Sequence, residues 1–198
     1  MSTPLRIAII IGSTRPTRIG HQVGEWVHEH ANRLGAADYE IIDLAEVDLP
    51  LLDEPMSASA GQYTHEHTKK WAERIAPFDG FIFVTPEYNH APNAALVNAL
   101  SFLYAEWNDK SAALVSYGYT ASGARAADML RPILGELQVA DVRQQLVFSI
   151  PVDFENYTVF KPGEQHISFL QVLTEQLEAW GRALKVVRAE KALARAAA

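Results

Sequence analysis

Five apolar runs, rich in β-branched and aromatic residues, alternate along this chain with segments of helical period. They are LRIAIIIG from Leu5, YEIIDL from Tyr39, DGFIFVTP from Asp79, SAALVSY from Ser111 and VRQQLVFSI from Val142. Near-continuous apolar runs suit strands buried on both faces, and the intervening helices supply the cover, so the alternation predicts a parallel sheet with helices on both sides. One stripe runs through Ile19, Val23, Val27, Ala31 and Leu34, and another through Leu96, Leu100, Leu103 and Trp107. A third passes through Ala126, Leu130, Ile133 and Leu137, where Pro132 is expected to kink or end the helix. The last helix reads Leu170, Leu173, Leu177, Trp180, Leu184 and Val187, and Trp71 and Trp180 are both expected in the core. With 198 residues and no repeat or composition break, residues 1–198 are read as one domain, with an Ala-rich tail from 189 to 198 that frays.

Composition removes several classes of function. A formal net charge of -7 repels phosphate backbones and anionic lipid, which argues against nucleic-acid and membrane-surface binding. The absence of Cys excludes zinc-thiolate sites, iron-sulfur clusters, disulfides and a cysteine nucleophile. The run Leu5 to Ile11 is too short to span a bilayer, and the expectation is a cytoplasmic protein. GxSxG is absent, so there is no hydrolase nucleophile elbow. His28 with His30 and His65 with His67 are i,i+2 pairs whose rings would diverge on a helix, and they are read as solvated rather than metal-ligating.

In an open α/β sheet a ligand sits at the carboxyl ends of the strands, which singles out three loops. GSTRPTRIG, Gly12 to Gly20, runs from the first strand into a helix. Its Ser13, Thr14 and Thr17 hydroxyls, Arg15 and Arg18, and the free amides of the helix start suit a terminal phosphate. The lysine of a Walker A loop and the glycines of GxGxxG are missing, and a polar turn with two solvated arginines is the plainer alternative. TPEYNHAPN, Thr85 to Asn93, can present backbone groups from Glu87 to Asn89 to the edge of a flat heterocycle while Tyr88 or His90 covers its face, or it is an ordinary helix-capping turn. SYGYTASGAR, from Ser116, offers Gly118 and Gly123 for close backbone approach, or is a flexible connection. Asp43, at the end of the second strand, is read as a loop-anchoring carboxylate.

Taken together, GSTR, PEYN and SYG, with DLPLLDEP, HTKKWAE and LYAEW between them, resemble the NADPH-dependent FMN reductase family over about Arg6 to Pro151. The resemblance implies a flavodoxin-like three-layer sandwich with a five-stranded parallel sheet of order 2-1-3-4-5. It implies FMN, with Ser13 and Arg15 at the phosphate, Pro86, Glu87, Tyr88 and Asn89 at the flavin ring, and Tyr117 and Gly118 from the third loop, to which Ser116 and, at the phosphate, Arg18 are added. It implies an NADPH- or NADH-dependent oxidoreductase with a small-molecule acceptor, in which FMN carries the chemistry and no catalytic side chain is required. The same resemblance implies a homodimer or a tetramer, and the aromatic loop Phe154 to Phe160 points the same way. Tyr119 stands where the family commonly has glycine, and with His90 it is assigned to the substrate pocket. The alternative is a non-enzymatic electron carrier of the flavodoxin type, against which Arg15 and the modest charge both speak.

Overall fold

The computed structural model describes residues 3–197. Its main sheet contains β1 (Arg6–Ile11), β2 (Asp38–Asp43), β3 (Gly80–Tyr88), β5 (Lys110–Gly118) and β6 (Val139–Ser149), all parallel, in the order β2-β1-β3-β5-β6. This is the flavodoxin-like arrangement expected, with the order reversing beside β1. Period-two alternation splits each apolar run between two layers. Ile7 and Ile9, with Ile82 and Val84, face α1 (Gly20–Leu34) and α7 (Gln165–Ala196). Ala8 and Ile10, with Phe81 and Phe83, face α3 (Glu66–Ile75), α4 (Ala94–Ser101) and α5 (Ala124–Glu136). A short α2 (Leu44–Val47) follows β2, with Asp43 accepting from the Ala45 amide at its start.

Buried polar groups lock the layers. Glu178 on α7 accepts from the Ala36 and Ala37 amides and from the Tyr39 hydroxyl at 2.8 Å, pinning the α1–β2 turn. Burial, then the Glu178 charge, pushes the Tyr39 phenol far above its usual range, so it stays a donor. Asp79 pairs with Lys185 and Arg188 just before the Ala-rich tail and Asp109 with Lys191 inside it; the helix runs on to Ala196 with residues 189–197 exposed. Ala198 lies outside the described residues.

Several local expectations need correction. Pro132 does not end its helix: α5 continues to Glu136, and Pro132 and Asp128 are both exposed, so the carbonyl that loses its partner meets water. Trp71 is in the core, but Trp180 is 51% exposed. Gly181 instead faces the sheet, where a Cβ would stand 3.1 Å from Leu5 and Ser111, and this close approach sets the rotation of α7. The histidines are not simply solvated. His28 bonds the Tyr39 carbonyl and His30 stacks on Trp26. His65 and His67 stack at 5.2 Å because His65 precedes α3 and escapes the helical divergence. Among the described residues no group of three or more His, Cys, Asp or Glu could hold a metal, and no helix is long and apolar enough to cross a membrane.

Candidate functional site

The chain leaves β1 at Gly12, whose amide still bonds the Val84 carbonyl, and turns through an Arg18 amide to Arg15 carbonyl bond before α1 begins. The N-cap of α1, Ile19, makes no side-chain capping bond, and no acidic residue stands in the first turn. The amides and positive dipole end of a 15-residue helix are therefore uncompensated. Ser13 is buried beneath them, and its Oγ faces the Tyr117 hydroxyl but makes no well-formed hydrogen bond among the described residues. Gly20 approaches so closely that a Cβ there would overlap both Ser13 Oγ and the Tyr117 hydroxyl. Burial raises the Tyr117 phenol above its usual range, leaving it a neutral donor.

The two arginines differ. Arg18 is engaged by Asp43 at 2.7 Å and donates to the Ser13 carbonyl, so it buttresses the loop. Arg15 is exposed, has no carboxylate partner among the described residues, and lies with its guanidinium 5.7 Å from the Tyr88 ring centre. An orphaned buried hydroxyl, a glycine cradle, an uncapped helix start and a free guanidinium fit a phosphate monoester.

After β3 the PEYN segment folds as a hairpin with β4 (Ala91–Pro92), pairing Glu87 with Pro92 and Tyr88 with Ala91. Asn89 and His90 form its turn with φ of 52° and 67°, the doubly left-handed geometry of a type I′ turn, rather than a bend set by the prolines. Asn93, just before α4, ties this hairpin to the first loop: its Nδ2 donates to the Gly12 carbonyl and its Oδ1 accepts from Thr85. Glu87 pairs with Arg125 at 2.9 Å, while its second oxygen is buried and unpartnered. Arg125 Nη1 also lies 2.5 Å from His90 Nε2, tying the hairpin tip to the start of α5.

These strand ends enclose a cleft of about 370 Å³ lined by Arg15, Arg18, Pro86, Glu87, Tyr88, Tyr117, Gly118 and Tyr119, within the size range of small-ligand sites. Asn89, His90, Ser116 and Ser13 are not among its lining residues. His90 sits at the exposed hairpin tip, Ser116 bonds the Ser122 carbonyl inside the third loop, and Ser13 lies beneath the helix start. Gly118 and Gly123 pack on each other, since a Cβ at Gly118 would come 2.9 Å from the Gly123 amide.

Thr17 of the first loop and Tyr157 of the aromatic loop complete the cleft together with Ile19, Ile150 and Thr158, which had not stood out in the sequence as site residues. Ile150 opens the short α6 (Ile150–Asp153), and Tyr157 and Thr158 belong to a hairpin formed by β7 (Phe154–Glu155) and β8 (Val159–Phe160). Phe154 and Phe160 pack on Tyr117 and Phe148 of the same chain, so two of the three aromatics of this loop face inward while Tyr157 stays exposed. Gln22 on α1 grips the hairpin from both sides, donating to the Thr158 carbonyl and accepting from the Phe160 amide. Asp153 and buried His166 brace its base, 3.1 Å apart. A larger groove, about 600 Å³, lies at the opposite end of the sheet beside Leu5, Val186 and Leu193, and its lining includes no unpartnered buried polar atom.

The family described as NADPH-dependent FMN reductase matches residues 5–152. An NAD(P)H-dependent FMN reductase of Schizosaccharomyces pombe is 38% identical over 178 residues, spanning 89% of this chain and 87% of that one. A quinone reductase of Pseudomonas putida is 29% identical over 153 residues, spanning 75% of this chain and 73% of that one. Among solved structures, the flavoenzyme NAD(P)H:(acceptor) oxidoreductase FerB of Paracoccus denitrificans superposes with a TM-score of 0.70 at 19% identity, covering 90% of this chain and 98% of that one.

Proposed function

This chain belongs to the NADPH-dependent FMN reductase family and is an FMN-binding NAD(P)H oxidoreductase, and from that premise we propose which of its residues hold the cofactor and how the site works. The observation that carries the proposal is the orphaned Ser13 hydroxyl under the uncapped start of α1, with the unpaired Arg15 beside it. These groups would take the FMN phosphate, a dianion that supplies the acceptors they lack. Pro86, Glu87, Tyr88 and Asn89 from the hairpin, with Ser116, Tyr117 and Gly118 at the end of β5, would hold the ring. Here Tyr88 and Tyr117 line the cleft directly, while Asn89 and Ser116 shape the backbone behind it.

When bound, FMN supplies the chemistry, taking a hydride equivalent from NADPH or NADH and returning two electrons to a small-molecule acceptor. The protein binds, orients and excludes water. Arg18 keeps the phosphate loop in place through Asp43 rather than spending its charge on the ligand. The neutral Tyr117 hydroxyl stays a hydrogen-bond donor at the cleft wall, and no protein acid or base is needed at the reacting atoms.

A homodimer or a tetramer is part of the same reading. Its support is the exposure of three large apolar side chains, Leu51, Leu52 and Met56, on the loop after α2. Light scattering that gives the 21.9 kDa monomer at micromolar concentration contradicts it.

The test is titration of the cofactor-free protein with FMN and riboflavin, followed by steady-state NADPH oxidation with an added acceptor. Strong preference for FMN with turnover is expected. Equal affinity for riboflavin overturns the phosphate assignment, and FMN binding without NAD(P)H oxidation turns the reading to an electron carrier.

A further inference from the structure

The Phe154–Phe160 hairpin carries a feature that its packing does not explain. Asn156 and Tyr157 both have left-handed backbone, with φ of 51° and 60°. Asparagine tolerates this region, but a tyrosine there is strained. The strain brings no burial in return: Tyr157 is 58% exposed, and it is Phe154 and Phe160 whose rings pack the hairpin onto the core. Yet Tyr157 lies at the mouth of the cleft, with its ring 6.2 Å from that of Tyr119, which is 61% exposed. Gln22, two residues into α1 from Gly20, grips the hairpin and fixes Tyr157 relative to the helix start below.

We propose that Tyr157 and Tyr119 form an aromatic clamp that selects a flat, neutral aromatic or quinone acceptor; the assignment rests on the oxidoreductase reading above. Arg18 is held by Asp43 and Glu87 by Arg125, and on the reading above Arg15 is taken up by the FMN phosphate, so the loaded cleft offers the acceptor the π faces of Tyr157 and Tyr119 instead of a free cation. An oxyanion finds no partner there, whereas a planar ring replaces the tilted contact between the phenols by stacking on either face. Both rings are more than half exposed and free to turn for it. Tyr157 touches the acceptor, Tyr119 opposes it, and Gln22 is a positioning residue.

The experiment compares Tyr157→Asn, Tyr157→Phe and Tyr119→Gly with the parent, all as full-length FMN-loaded protein. 1,4-Naphthoquinone serves as the flat acceptor and hexacyanoferrate(III) as one that cannot stack. Equilibrium binding of the naphthoquinone and the thermal midpoint are measured beside turnover. Tyr157→Asn is expected to raise both Kd and KM for naphthoquinone roughly three- to tenfold with kcat held. Hexacyanoferrate kinetics stay at the parent values, and the thermal midpoint stays level or rises because asparagine relieves the strained backbone. Tyr157→Phe keeps the parent affinity, and Tyr119→Gly repeats the loss. Unchanged naphthoquinone binding in Tyr157→Asn, or an equal loss with hexacyanoferrate, overturns the clamp. The binding measurement needs no turnover, so a parent protein that binds naphthoquinone through Tyr157 but oxidises no NADPH sustains the clamp while refuting the oxidoreductase reading.

Discussion

Arg18 is bound to Asp43 at 2.7 Å across the ends of β1 and β2, and this leaves Arg15, three residues earlier, as the cation of the loop with no carboxylate partner among the described residues. The pair divides two like residues into a strut and a ligand-binding group. Arg15→Ala should therefore remove a charged hydrogen bond from the FMN complex, costing about 1.5–3 kcal/mol, or roughly ten- to more than a hundredfold in Kd. Arg15→Lys should also weaken FMN, because an ammonium cannot copy a bidentate guanidinium. Riboflavin affinity and turnover at saturating FMN should hold near the parent values. Fluorescence titration with both flavins checks this, and intact FMN affinity with collapsed turnover would move Arg15 from the phosphate to the nicotinamide nucleotide.

Gly20 offers an independent handle on the same cradle. A Cβ there meets Ser13 Oγ and the Tyr117 hydroxyl together, so Gly20→Ala must displace one of them. The helix gains about 1 kcal/mol of propensity from the alanine, against roughly 1–3 kcal/mol for crowding a packed site. We expect a folded protein with a slightly lowered thermal midpoint and FMN affinity reduced at least about tenfold. Calorimetric titration measures the second effect separately from the first.

Asn93 joins two ligand loops through one buried amide. Asn93→Ala takes the Asn93 amide from the Gly12 carbonyl, while the Thr85 hydroxyl keeps the Pro86 carbonyl as its acceptor, a penalty of about 1–3 kcal/mol. In a chain of this length each kcal/mol lowers the thermal midpoint by roughly 2–4 °C. FMN affinity should fall along with it, and a variant that loses stability yet binds FMN normally would show the two loops to be independent.

The fold and the three loops were readable because both depend on local pattern. Alternating Ile7, Ala8, Ile9 and Ile10 serve two layers, and a strand end followed by Gly-Ser-Thr or Pro-Glu-Tyr announces a ligand loop. What escaped the sequence depends on partners distant in the chain. Arg18 meets Asp43 25 residues on, His90 meets Arg125 35 on, and Gln22 reaches Thr158 136 on. Residue type suggests such groups for a site, but only the fold says which are already taken. Trp180 was misplaced for a related reason: the helical stripe put it in the core, while its small neighbour Gly181 makes the close approach to the sheet.

Lys110 predicts a pH dependence away from the cleft. Burial, helped by the nearby Arg188 charge, lowers its amine to about 7, and Nζ donates to the Ile75 and Ala76 carbonyls, two bonds that a neutral amine can supply. The unfolded chain keeps an ordinary lysine, so between about pH 7 and pH 10 it binds more protons than the folded one. Stability therefore gains from this group as pH rises through that window, by at most about 1.4 kcal/mol per pH unit. Urea unfolding of the parent and of Lys110→Met across the window should show the slope in the parent and its loss in the variant.

The central claim, that this site holds FMN for direct reduction by a nicotinamide nucleotide, is tested most directly by mixing the FMN-loaded protein with NADPH in the absence of oxygen and of any acceptor, and following the visible flavin absorption. The account predicts complete bleaching in a single phase that saturates with NADPH and is reversed when an acceptor is added. Bound flavin that keeps its colour with NADPH and with NADH, yet bleaches with dithionite, would contradict it.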